Sequence, residues 1–525
     1  MATFMTPGIY IAEHSALPNS VVEVPTAVPA FIGYTERADN HGTSLHLRPF
    51  RIASLAEFHQ YFGGGPVAEQ VRFSLVQAPS PAPATPTLGD VLNAPLAQRD
   101  SPLLRVNSKD FQLRQTHGWY LLHSAMRLFF LNGGGACVVV SVGTYQTAAG
   151  KLIDGAVLQA ALKLLEKEPE PTLVVVPDAV LLPKPACDAL QVQMLAHCGG
   201  VMKNRMALID VWEGYLPRNE PPFGDLIEWV RAGVGSEYLA FGAAYYPWLH
   251  TSVNQQTDLS FLNIHPDSRA QLVACISDEL VGFNPRPDTL AAQLAEVDKV
   301  ITATAAEAGA LSARLASISP FYKTVLREMT QRLNLLPPSA AMAGVYTLVD
   351  STRGVWKAPA NISLNGVISP AVPISQAQQE DLNAPLQGKS INAIRNFTSQ
   401  GTLVWGARTL DGNSFDWRYI NVRRTVIMIE ESVRAALKAL AFEPNVASTW
   451  VNVKAMISNF LTALWQRGAM AGATPKDAFA VNVGLGETMT AQDIQEGIVR
   501  VTVLVAITRP AEFIVISLQQ QMKTP

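Results

Sequence analysis

Charge is scarce in this chain: Asp, Glu, Lys and Arg make up only 16% of its 525 residues, against 48% hydrophobic ones. So few charged groups leave little to cover the surface of a free monomer, which favours a chain that buries much of that surface against partners. An excess of either sign is missing as well, since the formal net charge is −3. That argues against a general nucleic-acid binder, which must neutralise phosphates. Cysteine is sparse. Cys137, Cys187, Cys198 and Cys275 form no CxxC pair and no histidine stands at zinc-finger spacing, so neither a metal site nor a disulfide framework is indicated, and buried thiols in a reducing compartment are expected. Long apolar runs are also lacking. The strongest, Val501 to Ile507, contains a threonine and falls far short of the ~18 residues a membrane span needs. The opening Met-Ala-Thr-Phe-Met has neither the basic region nor the apolar core of a signal peptide. Synthesis in the cytoplasm without membrane insertion is the expectation.

Catalytic signatures are equally thin. The glycine clusters at Gly63 to Gly65 and Gly133 to Gly135 do not follow a strand and open a helix, as a phosphate-cradling loop must, so they read as tight turns. No GxSxG elbow, HExxH pair or kinase-like set is present. Adjacent carboxylates such as Glu430 and Glu431 point in different directions from a helix and do not form a shared acid/base pair. We therefore expect no catalytic, cofactor or metal residues.

What is present is a pattern of elements. The length predicts two or three domains. Thr6 to Glu13 alternates Ile9 and Ile11 against Tyr10 and Ala12 after a Pro-Gly turn, the pattern of a short terminal strand. Ala30 to Glu36 reads as a second strand, and the Pro/Ala tract Gln77 to Pro86 as a stiff surface loop. From His117 to Ile209 helix-like and strand-like segments alternate, which predicts an α/β layer with a largely parallel sheet. The spacing of Leu290, Leu294, Val297, Ile301, Ala308, Leu311, Leu315 and Ile318 predicts one helix over 288–318, with Asp288 as N-cap. It packs either on its own domain or in a coiled coil. Two more helices, Thr425 to Ala441 and Val451 to Arg467, precede strands at Val499 to Ile507 and Glu512 to Ser517. Between Arg418 and Arg467 seven Lys/Arg stand against three Asp/Glu. That balance fits either a basic face for an acidic partner or ordinary helical ion pairs.

Several long motifs occur in fixed order: Leu336 to Asn361, GTLVWGARTLD (Gly401 to Asp411), WRYINVRRTVIMIEESV (Trp417 to Val433), FEPN (Phe442 to Asn445), Phe460 to Phe479 and RPAEFIVISLQQ (Arg509 to Gln520). Together with TPGIYIAE near the start, they resemble the tail sheath proteins of contractile phages and phage-tail-like injection particles. The resemblance implies a mixed α/β, multidomain sheath subunit whose core domain is built from both chain ends, with an inserted outer α/β domain. The boundaries it implies are an N-terminal arm over 1–25, a middle or outer region over 26–335, a C-terminal core over 336–508 and a strand arm over 509–525. It further implies rings stacked helically around an inner tube, contraction that drives the tube through a target envelope, and terminal arms that add strands to neighbouring subunits. Partners would be other copies of the chain, the inner tube protein, sheath paralogues, and baseplate and terminator proteins, in a particle that can be released from the cell. Ile9, Tyr10, Ile11, Glu512, Phe513, Ile514, Val515 and Ile516 are the expected arm residues; Arg434, Lys438 and Lys454 are the candidates facing the tube. Two other readings are an α/β hydrolase-like enzyme, supported by the alternating middle segment, and a baseplate or tube-associated part of the same machine.

Overall fold

A computed structural model describes residues 21–78, 103–145, 153–219, 224–283 and 286–513. The expected strand Thr6 to Glu13, with Ile9, Tyr10 and Ile11, lies outside them, as do Ile514, Val515, Ile516 and most of the Pro/Ala tract. The chain divides into two compact units. Of the described residues the larger holds 25–424 and 510–513, the smaller 21–24 and 425–509. The smaller unit thus draws on both ends of the sequence. A boundary at residue 336 is not observed: it falls inside the larger unit, where Tyr245 and Tyr246 pair with Asn392 and Ala393 across it.

The larger unit is organised by an eight-stranded sheet, in the order Gly401–Trp405, Asn392–Phe397, Gly242–Tyr246, Met206–Asp210, Leu173–Val175, Pro29–Thr35, Cys137–Thr144 and Phe50–Ile52. The six inner strands run parallel, and the two outermost are antiparallel to their neighbours. Ala30, Phe31 and Ile32 are buried, as a strand covered on both faces requires, which is why this segment reads as a continuous apolar run. One face carries Gly155–Leu164, Lys184–Leu195 and Leu226–Gly233, whose Leu158, Leu162, Leu190, Met194, Ile227 and Val230 belong to one core with Ile32, Val140 and Val174. Strand and helix alternate between residues 122 and 210 as the pattern predicts, with π-helical turns over Ala196–Met202 before the strand Met206–Asp210. All four cysteines are buried and free. Gly133 has φ +94° in the turn between the helix Leu122–Leu131 and the strand Cys137–Thr144, so its lack of a side chain serves a tight turn.

A second core in the same unit packs the antiparallel strands Arg72–Gln77, Lys109–His117 and Leu104–Val106 against four helices. Here the single helix over 288–318 is corrected. The chain forms Pro287–Thr302 and Ala305–Ile318, broken at Ala303, whose ψ of 139° is extended. Thr304 starts the second helix by a capping box with Glu307, a local signal that outweighs continuity of the apolar stripe. Arg286 stands at the first helix's N-cap, and Asp288 falls in its first turn. Val297, Val300, Leu311 and Leu315 all pack into this core, which settles the choice in favour of the chain's own domain.

In the smaller unit the helix Ala447–Gln466 buries Val453, Met456, Ile457, Phe460, Leu461 and Leu464, the i, i+3, i+4, i+7 set of one face. Residues 425–438 belong to the helix Ile420–Lys438, with Ile427, Met428 and Ile429 buried. Val24 donates its amide hydrogen to Ser432 Oγ at 3.1 Å, and Glu23 pairs with Arg467, so the first described residues are tied to the C-terminal helices. Strands Phe479–Asn482 and Thr502–Val505 complete the unit as a two-stranded antiparallel sheet.

Candidate assembly interface

The two-stranded sheet of the smaller unit leaves strand edges without a further strand among the described residues. Thr502 and Leu504 stand opposite Asn482 and Ala480, and Ala506 donates its N–H to Ala478 O at 2.8 Å. Alternation of the backbone then turns the N–H and C=O groups of Val503 and Val505 to the opposite edge. There they carry no hydrogen bond to any described residue. Leu504, on the solvent face, is 57% exposed. A two-stranded ribbon is marginal in water, and an unpaired edge is a template for another strand. The sequence showed the strand-like run at Val499 to Ile507 but not its partner, because Phe479–Asn482 is too short and too mixed to stand out.

The candidate charges sit on the two long helices. Arg434 and Lys438, one turn apart on Ile420–Lys438, are exposed, and Arg434 pairs with Glu431. Lys454, also exposed, lies 3.7 Å from Glu487. Half-exposed pairs of this kind hold little energy and leave the cations free to engage another partner.

A different arrangement surrounds Glu512 in the larger unit. The strand expected from Glu512 has not begun by Phe513, and residues 511–513 are irregular. The Glu512 carboxylate accepts from Arg408 Nε at 3.0 Å, Arg408 Nη2 at 2.6 Å, Tyr419 Oη at 3.1 Å and Asn383 Nδ2 at 2.7 Å. Burial pushes its pKa up, but the bonds from Arg408 and Asn383 and the charge of Arg408 outweigh this and hold it below the usual range. Sequence reasoning placed Glu512 in the arm and missed its partners, which come from positions 383, 408 and 419.

A cavity of about 630 Å³ in the larger unit is lined among others by Trp119, Tyr120, His123, Ser124, Tyr215 and His250. Burial, with His59 and Arg127 nearby, lowers the His123 pKa to about 4. Ser124 exchanges hydrogen bonds with Asn254, and among the described residues no histidine is bonded to it as an activating base. Among the described residues no group of three or more His, Cys, Asp or Glu could hold a metal, and no helix is long and apolar enough to cross a membrane.

Comparison with known proteins bears on the same regions. Residues 412–521 match the phage tail sheath C-terminal domain. The tail sheath protein of Vibrio phage KVP40 is 26% identical over 163 residues, 30% of this chain and 24% of that protein, so the match spans about a quarter of its length. The contracted sheath of PVC, an extracellular contractile injection system, shares 26% identity with a TM-score of 0.58 over 99% of both chains. For the helical sheath of the anti-feeding prophage in its contracted state the identity is 26% and the TM-score 0.58, over 99% of this chain and 100% of that one.

Proposed function

This chain belongs to the contractile tail sheath family, and from that premise we propose that it is a non-enzymatic structural subunit that polymerises around an inner tube and contracts. Copies of the chain would stack as helical rings, each linked to its neighbours by extended terminal arms. The observation that carries this reading is the two-stranded sheet of the smaller unit, where the edge backbone of Val503 and Val505 bonds to no other described residue. An arm from another copy, led by Ile9 to Ile11 or Ile514 to Ile516, would complete it by strand addition. Backbone hydrogen bonds of this kind hold subunits together while their rigid bodies rotate, so the polymer can shorten without coming apart. Repacking of subunit interfaces supplies the energy, and no nucleotide is required.

The inserted α/β region, roughly residues 50–335, would face outward on the particle. Partners would then be other copies, the inner tube protein, sheath paralogues, and baseplate and terminator proteins, in a particle assembled in the cytoplasm and released from the cell. Deletion of Met1 to Glu13 should leave a folded protein that no longer forms connected, striated cylinders by negative-stain microscopy. Normal cylinders from that truncation would remove the strand-exchange reading. Arg434, Lys438 and Lys454 are the proposed tube-facing charges. For Lys454→Glu we expect at least a tenfold drop in cylinders assembled on tubes, with the circular dichroism of the subunit unchanged. Undiminished assembly would retire Lys454 from this role.

A further inference from the structure

Glu512 is held in a way that an incidental surface ion pair is not. Four hydrogen bonds from three side chains converge on one carboxylate, and the Arg408 side chain that supplies two of them is only 5% exposed, against 19% for Glu512. Arg408 is itself held by contacts that do not involve Glu512. Its amide hydrogen is donated to Asn392 Oδ1 at 2.8 Å, its carbonyl accepts from Asn392 Nδ2 at 2.8 Å, and its Nη1 donates to Asn383 O at 3.1 Å. The guanidinium also lies 5.9 Å from the centre of the Tyr419 ring. Its planar fork therefore meets the carboxylate through two parallel bonds at little cost in side-chain entropy. The flanking residues make no such contact: Ala511 and Phe513 are exposed. Glu512 is thus the residue of that stretch whose side chain turns into the larger unit.

We propose that Arg408, Asn383 and Tyr419 form a carboxylate receptor that clasps Glu512 and fixes the root of the C-terminal arm, setting its register. This rests on the strand-exchange reading above and adds a pin to it. An extended chain advances about 3.3 Å per residue. A slip of one residue at the root would turn every side chain of an added strand to the opposite face. Arm and acceptor sheet can only be matched from copy to copy if the arm leaves each subunit at one fixed residue. Its side chains then meet the neighbouring sheet in one register.

Three variants of the full chain test this. Glu512→Lys places a cation against Arg408 and should release the root. Amide hydrogen exchange at residues 511–513 is expected to accelerate at least tenfold while the rest of the larger unit keeps its protection, and assembled cylinders should fall at least tenfold. Glu512→Gln keeps the shape and two acceptor positions at most, and should give an intermediate acceleration of roughly threefold to fivefold. This second variant also carries the test if the lysine variant does not fold. Deletion of residues 514–525 tests the underlying reading separately: normal cylinders from it would refute strand exchange by this arm. If that deletion blocks assembly but Glu512→Lys assembles like the parent, or if exchange at 511–513 is unchanged in both substitutions, the clasp is refuted.

Discussion

Val503→Pro is expected to abolish cylinder formation while leaving the smaller unit folded. The N–H removed is one that faces away from Phe479–Asn482, so the internal ladder of the hairpin keeps its bonds. Proline is tolerated at such an edge position. What it eliminates is the donor that an incoming strand would use. Leu504→Pro removes an N–H on the inner side and is expected to damage the hairpin itself, giving a lower melting temperature together with lost assembly. Val503→Ala keeps the amide and should assemble. The decisive comparison is therefore between two neighbouring prolines, read by thermal unfolding and by electron microscopy in parallel. Cylinders from Val503→Pro at the parent level would show that this edge is not where copies join.

An equally large effect, on stability, is expected at the buried pair Asp350 and Arg424, whose side chains are 6% and 4% exposed. Arg424 donates to both carboxylate oxygens, at 2.9 and 2.5 Å, and to Thr26 O at 2.8 Å, while Thr26 Oγ1 donates to Asp350 Oδ2 at 2.5 Å. The guanidinium stacks 4.6 Å from the centre of the Tyr346 ring, whose hydroxyl is bonded to that of Tyr245 at 2.7 Å. Asp350→Ala would strand a buried cation in this network and should cost about 3–5 kcal/mol in a urea titration followed by tryptophan fluorescence. Replacing both partners by apolar residues of similar volume should recover most of that loss, because the uncompensated charge disappears with them. A loss below about 1 kcal/mol for the single substitution would mean that water reaches the site and screens the charge.

The clasp at Glu512 and the edge of the hairpin ask different things of a sequence reader. Alternation of apolar residues shows that the segment near Val501 is extended, since side-chain period is a local property of the backbone. It does not show which edge bonds to no other described residue, because that depends on a strand twenty residues or more earlier. Glu512 reads as one more acidic residue in a strand-like tail until the fold brings Asn383, Arg408 and Tyr419 around it. The split of the helix at Ala303 lies between these cases. Thr304 and Glu307 form a capping box that was present in the sequence, but the apolar stripe ran through it and favoured one continuous element.

By itself the sequence determined the alternating α/β segment from residue 117 onward, the burial of its four cysteines, the amphipathic helices of the C-terminal region and, through motifs in fixed order, a resemblance to the sheath proteins. Each of these rests on near-neighbour periodicity, composition or a contiguous run of residues. Only the tertiary structure decided that strands from both sides of residue 336 share one sheet, that residues 21–24 join 425–509 in a unit of their own, and that the tail is clasped at Glu512. Those depend on pairings across about ninety residues or more, where a single chain's sequence holds no local record of which groups will meet and what each will cost or contribute once water is excluded.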